Sequence, residues 1–290
     1  WRPSGSKRSN WLVRRAAALE GGTGSAAMIR WQIYCQTNWL RMRRPKVVVW
    51  PWENHSWERA LVRECRKLGI KTLGYQHSVA GGAMLNYSAR SNADGLSSLP
   101  DKVFCSGEIW RHQLEEWKIP KDRLEIGGAW RISDKPGPVF VPGAPVLLAL
   151  PFSSSISAEL ISAARQALKM DDCRRFLVKQ HPMTPYQFTN DPRLDRTDLP
   201  FDQIKELGGL VFAASTIGLE AALAGLPVIR FQPRSVIAPG FSEGLPIPVA
   251  SADTLGEALR DLQIPQPLDQ TQFFAEVDHI QWRHEIGDED

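Results

Sequence analysis

The sequence is poor in cysteine. Its four, Cys35, Cys65, Cys105 and Cys173, form no C-x-x-C pair, which excludes the common zinc-ribbon and dithiol redox designs. Cys65 and Cys105 fall in apolar patterns, the setting of small buried side chains, and this suits a reducing compartment. No apolar run approaches the roughly 20 residues needed to cross a bilayer, and no signal peptide is visible. The chain opens on Trp1 rather than methionine, so the natural N-terminus is expected to lie upstream. Net charge is only +3, too little to argue for a nucleic-acid partner, and no basic-aromatic RNP element is present. No DxD motif follows a strand, so no metal is expected to bridge a diphosphate. Internal repeats and low-complexity segments are absent.

What is present is ordinary globular composition. The 290 residues, 43% of them hydrophobic and 23% charged, suffice for two domains of about 100–150 residues. Basic residues gather near the start (Lys7, Arg8, Arg14, Arg15) and before the first clear strand (Arg41, Arg43, Arg44, Lys46). They read either as a solvated surface or as a patch for an anionic inner-membrane surface or a phosphorylated acceptor.

Trp11–Leu19 and Met28–Leu40 read as helices around the Gly21–Gly24 turn. From Lys46 the pattern sharpens. Val47–Trp50 is a continuous apolar run, the mark of a buried parallel strand. Trp57, Leu61, Cys65 and Leu68 recur at helical spacing, with Gly69 at the stop position. Lys71–Gln76, Lys102–Ser106 and Leu124–Ile126 read as strands, with a helix over Ile109–Trp117. The Pro- and Gly-rich stretch Ser133–Pro145 is a linker. A second series follows, with strands Val146–Leu150, Arg175–Lys179, Leu210–Ala213 and Val228–Phe231. Its helices carry Ile156, Leu160, Ala164 and Leu168, then Ile217–Ala224, then Thr254–Leu262, capped by Asp253 or Thr254. The tail regains pattern over Phe273–Trp282.

Strands alternating with helices imply an α/β protein of two Rossmann-like domains with parallel sheets and a ligand cleft between them. Residues 1–135 are expected to form the first domain, incomplete at its start, residues 144–262 the second, and 263–290 a tail that packs back on the first.

Six motifs lie at strand ends. In Ser215-Thr216-Ile217-Gly218-Leu219-Glu220, a hydroxyl would cap a helix whose free N–H groups and positive dipole end face the cleft, where a phosphate binds well. Gly218 would admit a ligand, and Glu220, one turn in, could accept from ribose hydroxyls. The plain alternative is a capped helix. In Lys179-Gln180-His181-Pro182, His181 could bind a phosphate oxygen of a leaving nucleotide, with Lys179 adding a point charge; a lone histidine is more often structural. Ser153, Ser154 and Ser155 offer hydroxyls and N–H groups to a diphosphate, where a serine cap explains one of them. His77 of Tyr75-Gln76-His77-Ser78, before Gly81-Gly82, could act as a base on an acceptor hydroxyl. Trp50-Pro51-Trp52-Glu53-Asn54-His55 places a carboxylate and a histidine beside aromatic faces that could stack on sugars. Glu53 there is a candidate base, or else the Trp side chains are core and Glu53 caps the helix through Arg59. Ser106-Gly107 and Arg131 could meet a phosphate, acceptor or anion, or be structural.

Glu220, Gly225 and Pro227 (E-x4-G-x-P) resemble the C-terminal domain of GT-B glycosyltransferases, where the equivalent Glu holds the nucleotide ribose. His181-Pro182 and Ser215-Thr216, in that order, resemble the HP and Ser/Ser-Thr motifs of bacterial polysialyltransferases, and CDP-glycerol glycerophosphotransferases look similar at both places. Tyr75-Gln76-His77-Ser78 and PDKVFCSGEIW…IPKDRLEIGGAWR resemble segments of the same surface-carbohydrate group, which includes Kdo transferases. The resemblance spans about Val47–Phe231. It implies a metal-independent, cytoplasmic glycosyltransferase of capsule or lipopolysaccharide synthesis, peripheral at the inner membrane. The implied donor is a CMP- or CDP-linked sugar bound as substrate with no cofactor, and the acceptor a glycan or glycolipid. Glu53, His77 and His181 would be catalytic. Ser153, Ser154, Ser155, Lys179, His181, Ser215, Thr216, Gly218 and Glu220 would bind the nucleotide. The alternatives are a UDP-N-acetylglucosamine 2-epimerase-like enzyme and a non-catalytic nucleotide-sugar-binding assembly subunit.

Overall fold

A computed structural model describes residues 10–21, 23–77, 84–92, 94–130, 137–235, 247–264 and 268–287. Two compact units emerge. One takes the described residues of Trp1–His77, Asn86–Trp130 and Glu276–Asp290; the other takes those of Ser78–Leu85 and Arg131–Ala275.

The first unit opens with α1 (Asn10–Gly21) and α2 (Ser25–Arg43), then β1 (Val47–Pro51), α3 (Ser56–Lys67), β2 (Lys71–Gln76), β3 (Lys102–Cys105), α4 (Glu108–Glu116) and β4 (Leu124–Ile126). Its four strands run parallel in the order β1-β2-β3-β4. Helix α3 buries Ala60, Leu61, Val62 and Cys65 on one face, and Gly69 ends it with φ 67°. Trp52 is fully buried and lies so close to β2 that a Cβ on Gly74 would come within 2.9 Å of its own Cβ. Tyr87, from the loop between β2 and β3, packs edge-on against Trp52 with centroids 5.4 Å apart.

The second unit contains β5 (Val139–Phe140), β6 (Val146–Ala149), α5 (Ser154–Leu168), β7 (Phe176–Lys179), β8 (Leu194–Thr197), β9 (Glu206–Leu207), β10 (Gly209–Phe212), α6 (Ile217–Leu223), β11 (Val228–Phe231), β12 (Val249–Ala250), α7 (Leu255–Arg260) and α8 (Gln270–Phe273). Six strands pair in parallel in the order β12-β11-β10-β6-β7-β8, with β5 and β9 forming a separate parallel pair. Numbered along the main sheet, that order is 3-2-1-4-5-6, the Rossmann arrangement. The apolar face of α5, including Ile156, Leu160, Ala164 and Leu168, packs with Leu148, Phe176 and Val211 in one core. Each fully buried leucine there contributes roughly 1.5–3 kcal/mol.

The chain then returns to the first unit as α9 (His279–Ile286). Buried Trp282 packs on Phe104 at 4.2 Å between centroids and donates its indole N–H to the Gly127 carbonyl at 2.8 Å. Gly128 (φ 81°) has to be glycine, because a Cβ would fall 2.1 Å from the Glu276 carbonyl oxygen.

The departures from the sequence reading are local. The patterned stretch 273–282 is broken between α8 and α9, the latter capped by Asp278 accepting from the Gln281 N–H at 2.9 Å. The helix expected over 254–262 is the shorter α7, and Thr254 at its N-cap makes no capping side-chain bond; its Oγ1 accepts instead from the Ser251 N–H at 2.9 Å. Strands β5, β8, β9 and β12 were not anticipated. No helix among the described residues is long and apolar enough to cross a membrane.

Candidate functional site

In the second unit the strand order reverses between β6 and β10, the switch point outside whose carboxyl ends ligands bind in such sheets. Ala149 at the end of β6 stands in register with Phe212 of β10 on one side and Lys179 of β7 on the other. Three segments therefore leave the sheet side by side: the loop into Ser153–Ser155, the segment through His181, and the turn through Ser215 and Thr216.

Ser153 is the extended N-cap of α5 (φ −79°, ψ 116°), yet its side chain makes no capping bond. Its Oγ lies 2.9 Å from the Ser155 Oγ, and Ser154 and Ser155 are exposed. The first amides of a helix have no acceptor within it, and a 15-residue helix places the positive end of its dipole there. Hydroxyls, amides and dipole thus favour an anion at one point.

His181 is fixed by two contacts. Its Nδ1 accepts the Met183 N–H at 3.3 Å, and Phe152 meets its ring edge-on, centroids 5.4 Å apart. Thr184 ties the same segment to the serine loop by donating to the Phe152 carbonyl at 2.9 Å. With Nδ1 an acceptor, the ring proton of the neutral imidazole resides on Nε2, which is then a donor. Lys179, expected as a point charge, donates to the Leu199 carbonyl at 2.6 Å.

Two expectations at the third turn need correction. The first amides of α6 are used within the turn: Ile217 to the Ser215 Oγ at 3.4 Å, Gly218 to the Ser215 carbonyl at 3.3 Å, and Leu219 and Glu220 to the Thr216 carbonyl, both at 3.0 Å. Free N–H groups are therefore not what this turn supplies; its hydroxyls are. Gly218 is buried, and a Cβ there would fall 2.4 Å from the Phe212 ring. That ring alone requires glycine here. Thr216 is the N-cap, and Glu220 stands half-buried in the first turn of α6.

In the first unit, Glu53 and His77 come together at the ends of β1 and β2. The Glu53 Oε1 is 3.8 Å from the His77 Nε2, while its Oε2 is 2.8 Å from the Nε2 of His55, the histidine of the same motif. Glu53 does not cap α3 through Arg59. Buried Glu58 does that work, its Oε2 accepting from the Trp50 indole (3.2 Å) and from the N–H groups of Glu53 (3.0 Å) and Asn54 (2.9 Å). Burial pushes the Glu58 carboxyl above its ordinary range, against the pull of these bonds. The signal was available: Glu58 stands three residues after the N-cap His55, the capping-box position. Arg59 instead donates to the carbonyls of Asn54 and Ser91, both at 3.0 Å.

Trp50 and Trp52 are 7% and 0% exposed, so they are core and not a sugar platform. Ser106 is buried, and both its N–H and its hydroxyl donate to the Gln76 Oε1 at 3.2 Å, a structural use. Arg131, Ser78 and Gly81-Gly82 lie outside the described residues. Among the described residues no group of three or more His, Cys, Asp or Glu side chains could hold a metal ion.

No protein-family model matches the chain, and no curated protein matches it in sequence. Solved structures do match. The Methanocaldococcus jannaschii UDP-GlcNAc 2-epimerase, in complex with UDP-GlcNAc and UDP, is 10% identical with TM-score 0.56, over 87% of this chain and 79% of that one. A candidate UDP-N-acetylglucosamine 2-epimerase of Listeria monocytogenes is 9% identical with TM-score 0.51, over 91% and 81%. The lipopolysaccharide outer core galactosyltransferase WaaB is 14% identical with TM-score 0.45, over 81% and 70%. The chain thus has the GT-B fold, an α/β architecture of two Rossmann-like units with parallel sheets.

Proposed function

We propose that the second unit binds a nucleotide sugar at the β6–β10 switch point and that the protein transfers its sugar, from a CMP- or CDP-linked donor, to a surface-polysaccharide or glycolipid acceptor. The observation that carries this reading is the side-by-side exit of the Ser153–Ser155, His181 and Ser215–Thr216 segments from neighbouring strands.

In this reading the α5 N-terminus and the hydroxyls of Ser153, Ser154 and Ser155 hold the donor's phosphate or diphosphate. Ser215 and Thr216 add hydroxyls from the facing strand end. The His181 Nε2–H donates to a phosphate oxygen as the glycosidic bond breaks and charge grows on the leaving nucleotide; that donor is worth most in the transition state. Glu220 accepts from the ribose hydroxyls. On the acceptor side, Glu53 or His77 removes the hydroxyl proton, and the 3.8 Å approach of the two gives that proton a second carboxylate–imidazole partner.

A second reading, a 2-epimerase, is favoured by one observation: two of the fold likenesses, each with TM-score above 0.5, are to such proteins. Nucleotide release from CMP-, CDP- and UDP-linked sugars, followed with and without a glycolipid acceptor, separates the two. Transfer predicts release that depends on acceptor. Conversion of a UDP sugar without acceptor selects the epimerase, and binding without turnover selects an assembly subunit.

A further inference from the structure

Helix α2 has two apolar faces and uses one. Toward the rest of the first unit it turns Ile29, Ile33, Gln36, Thr37 and Leu40, all half-buried or buried, and it packs against α3. On the opposite side Met28 is 75% exposed, Trp31 67%, Tyr34 58%, Trp39 45% and Met42 74%. At 3.6 residues per turn these five fall within one arc of roughly 140°. Trp31 and Tyr34 stack within it, centroids 5.6 Å apart. Aromatic and sulfur-bearing side chains left in water at this density on one helix face mark an interaction surface.

The charge around the face says what covers it. Helix α2 has no acidic residue. Arg30 and Arg41 flank the apolar arc on one side and Arg43 on the other, with Arg44 and Lys46 just beyond the C-terminus. Among the described residues one carboxylate approaches this set, Glu64, at 3.8 Å from the well-exposed Arg41. Apolar and interfacial Trp and Tyr side chains edged by arginines match the boundary of an anionic bilayer, where rings sit at headgroup depth and guanidinium groups meet phosphates. A protein partner would have to bring acidic groups to both flanks. The helix is not apolar enough to span, so it would lie in the membrane plane.

We infer that α2 is a membrane-docking helix that seats the first unit on an anionic lipid surface through Met28, Trp31, Tyr34, Trp39 and Met42, with Arg30, Arg43 and Arg44 at the headgroups. The inference stands apart from the sugar chemistry, because none of these residues belongs to the candidate site.

Flotation of the full chain with vesicles of phosphatidylcholine, alone or mixed with phosphatidylglycerol, tests it. Binding is expected to the mixed vesicles only and to weaken with salt. The Arg43→Ser/Arg44→Ser variant is expected to bind on the order of thirtyfold more weakly, at about 1 kcal/mol per basic residue near the surface. Trp31→Ser/Trp39→Ser should weaken binding at least as much, and both variants should keep the wild-type thermal melt and nucleotide binding. Equal binding to both vesicle types, no binding, or variants that bind like wild type would overturn the inference. So would a concentration-dependent dimer, seen by sedimentation, that is lost on Trp31→Ser while vesicles are ignored.

Discussion

At residue scale, His181 and Gly218 show how one position can be read two ways. A histidine after a strand is compatible with structure or chemistry. What distinguishes His181 is that Nδ1 is already engaged by the Met183 N–H at 3.3 Å, leaving the donor on Nε2. His181→Ala is expected to lower kcat with a nucleotide sugar on the order of 10²-fold or more while nucleotide binding by calorimetry changes little; unchanged kcat would remove the leaving-group role. Gly218 carries the opposite lesson. A glycine beside a capping serine suggests ligand access, whereas the 2.4 Å approach of the Phe212 ring makes it a packing glycine. Gly218→Ala should cost about 1–3 kcal/mol of stability, the usual penalty of overpacking, seen as a lower melting temperature. The added Phe212→Leu change, which trims the clashing ring, should restore part of the loss. Sequence alone could not separate these cases, because one turns on the local loop geometry that brings the Met183 N–H onto Nδ1 and the other on where the Phe212 ring lies.

At the scale of elements, the α5 and α9 termini carry the weight. Strand β6, in the continuous apolar run Val146–Leu150, was legible because both of its faces are covered, all four of its residues being buried; the run Val47–Trp50 reads the same way, yet β1 is an edge strand with Val49 40% exposed. Strand β8 was not legible, since Leu194 alone among its four residues is buried and no alternation survives at a sheet edge. Helix α9 was visible as pattern, but its anchoring was not, because the partners lie far along the chain. Glu285, 6% exposed, pairs with Lys71 and Lys102, each at 2.6 Å. Burial alone would push its carboxyl up; hydrogen bonds from Lys102 and Lys71 hold it below the usual carboxylate range. A depressed folded-state pKa contributes stability above the unfolded value, lost as pH falls through the folded one. Melting temperature is therefore expected to drop on acidification below about pH 4.5, and more steeply for wild type than for Glu285→Gln. At neutral pH that variant should be less stable by about 1–2 kcal/mol, since the two lysines are partly solvated. Parallel pH curves would contradict the pairing.

At the scale of the whole molecule, the two Rossmann-like units differ in how far each speaks for a function. The second declares itself through strand order: 3-2-1-4-5-6 fixes where a ligand can sit, and hydroxyl-bearing segments leave the neighbouring ends. The first offers the Glu53–His55–His77 cluster, which the proposed function sets on the acceptor side. The second unit therefore bears the most direct test, a thermal-shift titration with CMP, CDP, UDP and GDP on wild type and on Ser155→Glu, which sets a carboxylate where the proposal puts a phosphate. At about a hundredfold excess over Kd a ligand adds roughly 2.7 kcal/mol, several degrees for a protein of this size. At least one nucleotide is predicted to raise the wild-type melting temperature by that much, with the shift abolished in Ser155→Glu. No shift with any nucleotide, or an equal shift in the variant, would contradict a nucleotide site at the β6–β10 switch point.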